Sequence, residues 1–197
     1  MAEPWNHNVH YYDFVISQLP AGCERALDVG CGEGMLVRRV ASRVPSVTGI
    51  DSLPEIIERG REASAGISNV ELVAGDVMTY PFEGQFDFVS SVASLHHLDF
   101  DAGLERLKSL LRPAGVLAIV GLGNERSPLD FALAAVGKTA SRIYRHGRGG
   151  WWESGALLID PTMSYGAIRR RSRRLLPGRR YRRHLLYRYS IVWRRPA

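Results

Sequence analysis

The sequence predicts an α/β fold, a doubly wound parallel sheet with helices on both faces. Three observations predict it. Short apolar runs alternate with stretches of helical periodicity through residue 121, the pattern of strand–helix–strand units. The first three apolar runs each end in an acid: Asp28, Asp51 and Asp76. Directly after the first run, glycines stand at alternate positions, Gly30, Gly32 and Gly34. Glycine weakens regular structure, so this clustering marks a backbone that turns sharply and lies against a ligand.

The elements follow in order. "RALDVG" reads as a buried strand, and "MLVRRVASRV" as a helix with Leu36, Val37, Val40 and Val44 near helical spacing. "SVTGID" is the second strand. "LPEIIERGREASA" is a helix with Pro54 in its first turn. "VELVAGD" is the third strand, and "FDFVSSVAS" the fourth, ending near Ser91. "FDAGLERLKSLLRP" places Leu104, Leu107 and Leu111 on one helical face, capped by Asp99 or Asp101. "RPAG" reads as a turn and "VLAIVGL" as the fifth strand. From residue 122 the pattern changes. "SPLDFALAAVGKTASRIYRH" is a helix and "GRGGWWESG" a loop carrying Trp151 and Trp152. "TMSYGAIRRRSRRLL" is a further helix with Thr162 as its N-cap, and two strands follow near 181–186 and 187–194.

A chain of 197 residues, 45% hydrophobic, suits one globular domain with a sizeable core. No apolar run is long enough to span a membrane. The opening "MAEPWNHNVHYYDF" lacks the basic head and apolar middle of a secretory signal. Cys23 and Cys31 have neither zinc spacing nor the numbers of a disulfide framework, so a reducing cytoplasm is the expected location. The net charge of +6 is uneven: the last 37 residues hold 12 of the 26 basic residues and no acid. Such asymmetry admits an anionic partner, and also a solvated face of alternating arginines, which "RHLLYRYSIVW" with its interleaved apolar residues favours.

The glycine loop narrows the ligand. A dinucleotide fingerprint needs a third glycine where Met35 stands, and the Lys-Ser/Thr of a P-loop is absent. Asp51, at the end of the second strand, lies where an acid can accept both hydroxyls of a ribose. The alternating Asp-x-Gly-x-Gly-x-Gly, with Asp51, "VAGDV", "SLHHL" and "LLRPAGVLAIV" in this order, resembles the class I S-adenosylmethionine-dependent methyltransferases over residues 24–121, with Ala114 in place of the first glycine of the "L-k-P-G-G" turn.

The resemblance implies a seven-stranded Rossmann-like sheet in order 3-2-1-4-5-7-6 with strand 7 antiparallel. It implies a single domain over 1–197: a cofactor core at 24–121, cover over the substrate pocket from 1–20 and 122–162, and a last helix and hairpin at 163–197. It implies that Gly30, Gly32 and Gly34 let the backbone approach the methionine part of S-adenosyl-L-methionine. Asp28 would face the ammonium, Asp51 the ribose, Leu53 an adenine face, and Asp76 with the Val77 amide the adenine edge. Cys31, Ser52 and Ser91 complete the cofactor set, Cys31 as a small filler rather than a nucleophile. His96 and His97 fall beside the methyl group; either can be a general base or merely line the pocket. His97 is preferred because Leu95 and Leu98 flank it as packing positions. His7, His10, Tyr11, Trp151 and Trp152 are substrate-pocket candidates, the alternatives being an amphipathic segment on the sheet edge and a core beneath a long loop. No His, Asp or Glu cluster has metal-ligand spacing, so no metal is expected.

The implied activity is methyl transfer to oxygen or nitrogen of a small-molecule acceptor, with S-adenosyl-L-homocysteine as product. An RNA or other nucleic-acid methyltransferase using the arginine-rich end is the alternative. Against it, neither an Asn/Asp-Pro-Pro-Tyr/Phe motif nor a Pro-Cys nucleophile is present. A non-catalytic S-adenosylmethionine-binding protein is the third reading.

Overall fold

The computed structural model describes residues 5–147 and 160–197, so Trp151 and Trp152 lie outside the described residues. A 3-10 turn at Val9–Tyr11 leads into α1 (Tyr12–Ile16). Then follow β1 (Arg25–Val29), α2 (Met35–Ala41), β2 (Ser46–Asp51), α3 (Pro54–Ala63), β3 (Val70–Ala74) and β4 (Phe86–Val92). A second 3-10 turn at Leu95–His97 precedes α4 (Phe100–Ser109) and β5 (Leu111–Gly121). The chain continues through α5 (Pro128–Gly147), α6 (Tyr165–Leu175), β6 (Arg180–His184) and β7 (Arg188–Arg194).

The strands form one sheet in the order β3-β2-β1-β4-β5-β7-β6. The first five run parallel, and β7 pairs antiparallel with both β5 and β6. The order and the reversed strand are those the resemblance implies. Strand alternation sends residues to two cores. On one face Leu27, Val89, Leu117, Ile119 and Ile191 pack with Leu104 and Leu107 of α4 and Ile168 of α6. On the other Ala26, Phe88, Ala118 and Val192 pack with Val15 of α1, Val37 of α2 and Ile57 of α3.

Two local expectations need correction, and one open choice is resolved. "RPAG" is no free turn: it lies within β5, where Ala114 takes φ 63° and its N–H bonds to the carbonyl of Arg195. The pairing of β4 with β5 shifts register there, so the extra residues are absorbed as a bulge. The N-cap of α6 is Ser164 rather than Thr162; Ser164 has extended backbone (ψ 153°) and its hydroxyl accepts from the Ala167 amide. At α4 the choice resolves to Asp99, whose carboxylate accepts from the Ala102 N–H at 2.9 Å.

Candidate functional site

Parallel strands bring β1 to β4 to a common carboxyl-end edge, where ligands of such sheets bind. The loops after these four strands and the N-terminal segment enclose a cavity of about 350 Å³. Its floor is the glycine loop. The Gly30 and Cys31 amides both donate to the Ile50 carbonyl, at 2.8 and 3.1 Å, which folds the loop back over the end of β2. Gly30 has φ +70°, and a Cβ there would lie 1.9 Å from Ser94 Oγ. Only glycine meets both demands. Ser94 is carried over it by Ala93, at the strained φ of 54° just past β4.

Asp51 is oriented from both sides: Oδ2 accepts the Gly32 amide at 2.9 Å and Oδ1 the Leu53 amide at 3.1 Å. Each carboxylate oxygen keeps acceptor capacity for a ligand hydroxyl. Farther along the cavity, Asp76 uses one oxygen to hold the Met78 amide at 2.9 Å and its side chain stays exposed, with Val77 beside it. Ser52, Leu53 and Cys31 also line the wall. Burial and the neighbouring Asp28 and Asp51 push the Cys31 thiol well up, so it stays a neutral filler.

Asp28 and Ser91 do not line the cavity. Both are buried within the sheet, Ser91 at only 1% exposure. Asp28 is 4% exposed and accepts from Ser90 Oγ at 2.7 Å. Burial first, and then the repulsion of Asp51 against the Ser90 hydrogen bond, raises its carboxyl to about 7. Asp28 therefore braces the first and fourth strands beneath the glycine loop.

The adjacent histidines part. His97 stands at the rim of the main cavity, and His96 faces a second, smaller one of about 200 Å³ walled by Leu95, Phe100, Met163 and Tyr189. Partial burial lowers the His97 pKa from its ordinary value, with Asp51 opposing. Its imidazole is neutral at pH 7 and can accept a proton.

The N-terminal expectation is corrected. His7, His10 and Tyr11 are turned away from the cavity. His7 Nε2 meets Ser141 Oγ of α5 at 2.8 Å, His10 packs edge-on against Tyr144, and the Tyr11 hydroxyl donates to the Leu185 carbonyl. The cavity face belongs instead to Asn6, Asn8 and Tyr12. Asn8 and Tyr12 are four residues apart across a continuous 3-10 and α turn, which sets them on one side. Asn6 Oδ1 caps the turn by accepting the Asn8 and Val9 amides at 2.9 and 3.0 Å. Of the described residues of 122–162, none lines the main cavity; Leu122, Pro161 and Thr162 line the smaller one.

The main cavity thus carries Glu33, Asp51 and Asp76 and, among the described residues, no lysine or arginine. Such a wall suits a ligand of hydroxyls and positive charge, without phosphate. A cleft of this sign, over an alternating glycine loop at the switch point of a 3-2-1-4-5-7-6 sheet, defines a methyltransferase architecture.

Comparison with known proteins agrees. The family model described as "Methyltransferase domain" matches residues 26–115. An uncharacterized methyltransferase of Mycobacterium tuberculosis (strain H37Rv) is 35% identical over 205 residues, covering all of both chains. Demethylmenaquinone methyltransferase of Staphylococcus aureus (strain MRSA252) is 33% identical over 110 residues, 53% of this chain and 46% of that one. The N-methyltransferase NodS of Bradyrhizobium japonicum, solved with S-adenosyl-L-homocysteine, superposes with a TM-score of 0.66 at 14% identity, over 96% of this chain and 87% of its own. The chain belongs to the class I S-adenosylmethionine-dependent methyltransferases.

Proposed function

We propose that the chain moves the methyl group of S-adenosyl-L-methionine to an oxygen or nitrogen of a small-molecule acceptor, within the cavity bounded by Asp51, His97 and Asn8. The observation that carries this reading is the cavity itself: about 350 Å³, acid-lined, and free of lysine and arginine among the described residues. A polynucleotide needs cationic contacts to its phosphates at the site. Two arginines of α6, Arg171 and Arg174, are turned to α4 and pair with Asp101 at 3.0 and 2.9 Å. The relatives named for demethylmenaquinone and N-methyl transfer support a small acceptor.

The residues present fit the cofactor. Asp51 would hold the ribose hydroxyls, Asp76 and the Val77 amide the adenine edge, and Leu53 an adenine face. The glycine loop, bare at Gly30, would admit the methionine portion. When bound, S-adenosylmethionine supplies a methyl group already activated on a sulfonium. What remains for the chain is alignment, exclusion of water and removal of one proton. Ser94, Asn8 and Tyr12 wall the space in which an acceptor would be aligned. His97, neutral at pH 7, accepts the proton through an imidazole nitrogen.

The test is release of S-adenosylhomocysteine in the presence of small hydroxylated compounds and amines, set beside total RNA. Turnover with small acceptors and none with RNA is expected. Turnover with RNA alone overturns the reading.

A further inference from the structure

The two ends of the cavity differ in charge. Asp76 and Asp51 follow β3 and β2, at one side of the sheet. The opposite end, past Ser94 after β4, is walled by Asn8. Behind Asn8 lies Arg188, the first residue of β7, only 6% exposed. Its Nη2 donates to Asn8 Oδ1 at 2.6 Å, and its Nη1 donates to the Leu186 and Tyr187 carbonyls at 3.3 Å. Its Nε is buried without a partner. No carboxylate among the described residues contacts it: Asp130 pairs instead with Arg183, on the neighbouring strand, at 3.4 Å. Burial lowers the Arg188 pKa only to about 10, so the guanidinium remains charged at neutral pH. Buried charges are ordinarily paired, and this one has only neutral partners.

The contact also fixes the Asn8 amide. A guanidinium can only donate, so it takes the amide oxygen and leaves the NH₂ clear of that contact, on a side chain that lines the cavity. That NH₂ makes no hydrogen bond within the described residues. A single donor group backed by an unbalanced cation matches a planar carboxylate better than a phosphate, whose three oxygens ask for more donors.

We propose that the Asn8 end of the cavity is the acceptor subsite and takes an acceptor bearing a carboxylate, bound by the Asn8 amide in the field of Arg188. This rests on the small-acceptor reading above. The acids at the other end repel the same group, so the cavity would orient such an acceptor in one direction.

The probes are benzoate and its neutral counterpart benzamide, titrated into the S-adenosylhomocysteine complex and followed by saturation-transfer NMR. Benzoate should bind at least tenfold more tightly than benzamide. Arg188→Met should lose at least tenfold in benzoate affinity. Asn8→Asp, which gives Arg188 an internal carboxylate and leaves its surroundings intact, should do the same even if Arg188→Met does not fold. S-adenosylhomocysteine affinity should change less than threefold in either variant. Equal binding of the two probes, no binding of benzoate, or undiminished benzoate binding by Asn8→Asp overturns the proposal. If wild type fails to bind S-adenosylhomocysteine, the proposed function and this proposal fall together; if it binds that product but not benzoate, only this proposal falls.

Discussion

The Gly32 amide donates to Asp51 Oδ2 at 2.9 Å, tying the loop after the first strand to the acid that ends the second. The same carboxylate holds the Leu53 amide, so it organises both lips of the cavity before any ligand arrives. Asp51→Ala frees two loop amides and would remove the charge-assisted hydrogen bonds proposed to the ribose. Calorimetry should show S-adenosylhomocysteine binding weaker by about 1.5–3 kcal/mol or more. Asp51→Asn keeps one acceptor oxygen and should fall between wild type and alanine. Unchanged binding by a folded Asp51→Ala protein contradicts the ribose assignment.

Gly30→Ala forces a Cβ to within 1.9 Å of Ser94 Oγ at a left-handed φ. Two costs combine, the collision and about 1–2 kcal/mol for the left-handed backbone. Thermal unfolding should show a large drop in Tm. The double variant Gly30→Ala/Ser94→Gly should recover part of it, leaving the backbone cost. Equal Tm for single and double variants would show that the collision is relieved by movement of the loop.

Asp28 sets a pH dependence of stability. Its carboxyl titrates near 7 when folded and near 3.9 when unfolded. Between these values the folded state keeps a proton that the unfolded chain has released. Stability from this group is therefore fully present below about pH 4 and is lost as pH rises through 7, with a slope approaching 1.4 kcal/mol per pH unit. Asp28→Asn should remove that slope. In urea unfolding at pH 5 and pH 8, the variant should gain stability relative to wild type at the higher pH. A constant difference between the two proteins refutes a buried, protonated Asp28.

His97→Gln should lower turnover at least tenfold with S-adenosylhomocysteine affinity near wild type, since loss of a general base costs roughly 10²–10⁴-fold. Because burial lowers the His97 pKa, activity should be retained down to below about pH 6.5 and fall on further acidification as the imidazole takes its proton. His96→Gln, on the smaller cavity, should change turnover less than threefold. A His97→Gln enzyme with normal turnover leaves that residue as a wall of the cavity only.

The sheet was legible because each parallel strand is a short apolar run closed by an acid or a turn, and the glycine loop's place in the cavity because its glycines and Asp51 stand in fixed local spacing. The wall at Asn8 was not. His7, His10 and Tyr11 carry the more suggestive chemistry, yet their direction is decided by Ser141, Tyr144 and Leu185, far along the chain. Likewise nothing near Asn8 in sequence announces Arg188, 180 positions away. The bulge at Ala114 escaped because "RPAG" has turn chemistry, and only pairing with Arg195 keeps it in a strand.

The antiparallel insertion of β7 leaves β6 as the outermost strand on its side. An outermost strand offers unpaired amides and carbonyls to any other chain with a free edge, and short length and positive charge discourage such stacking. β6 is five residues long, with Arg180 and Arg182 exposed on it. Both features of β6 oppose such stacking at the sheet's border. Arg180→Thr/Arg182→Thr should fold with a normal circular dichroism spectrum, yet light scattering of a concentrated, gently warmed sample should show aggregation well before wild type.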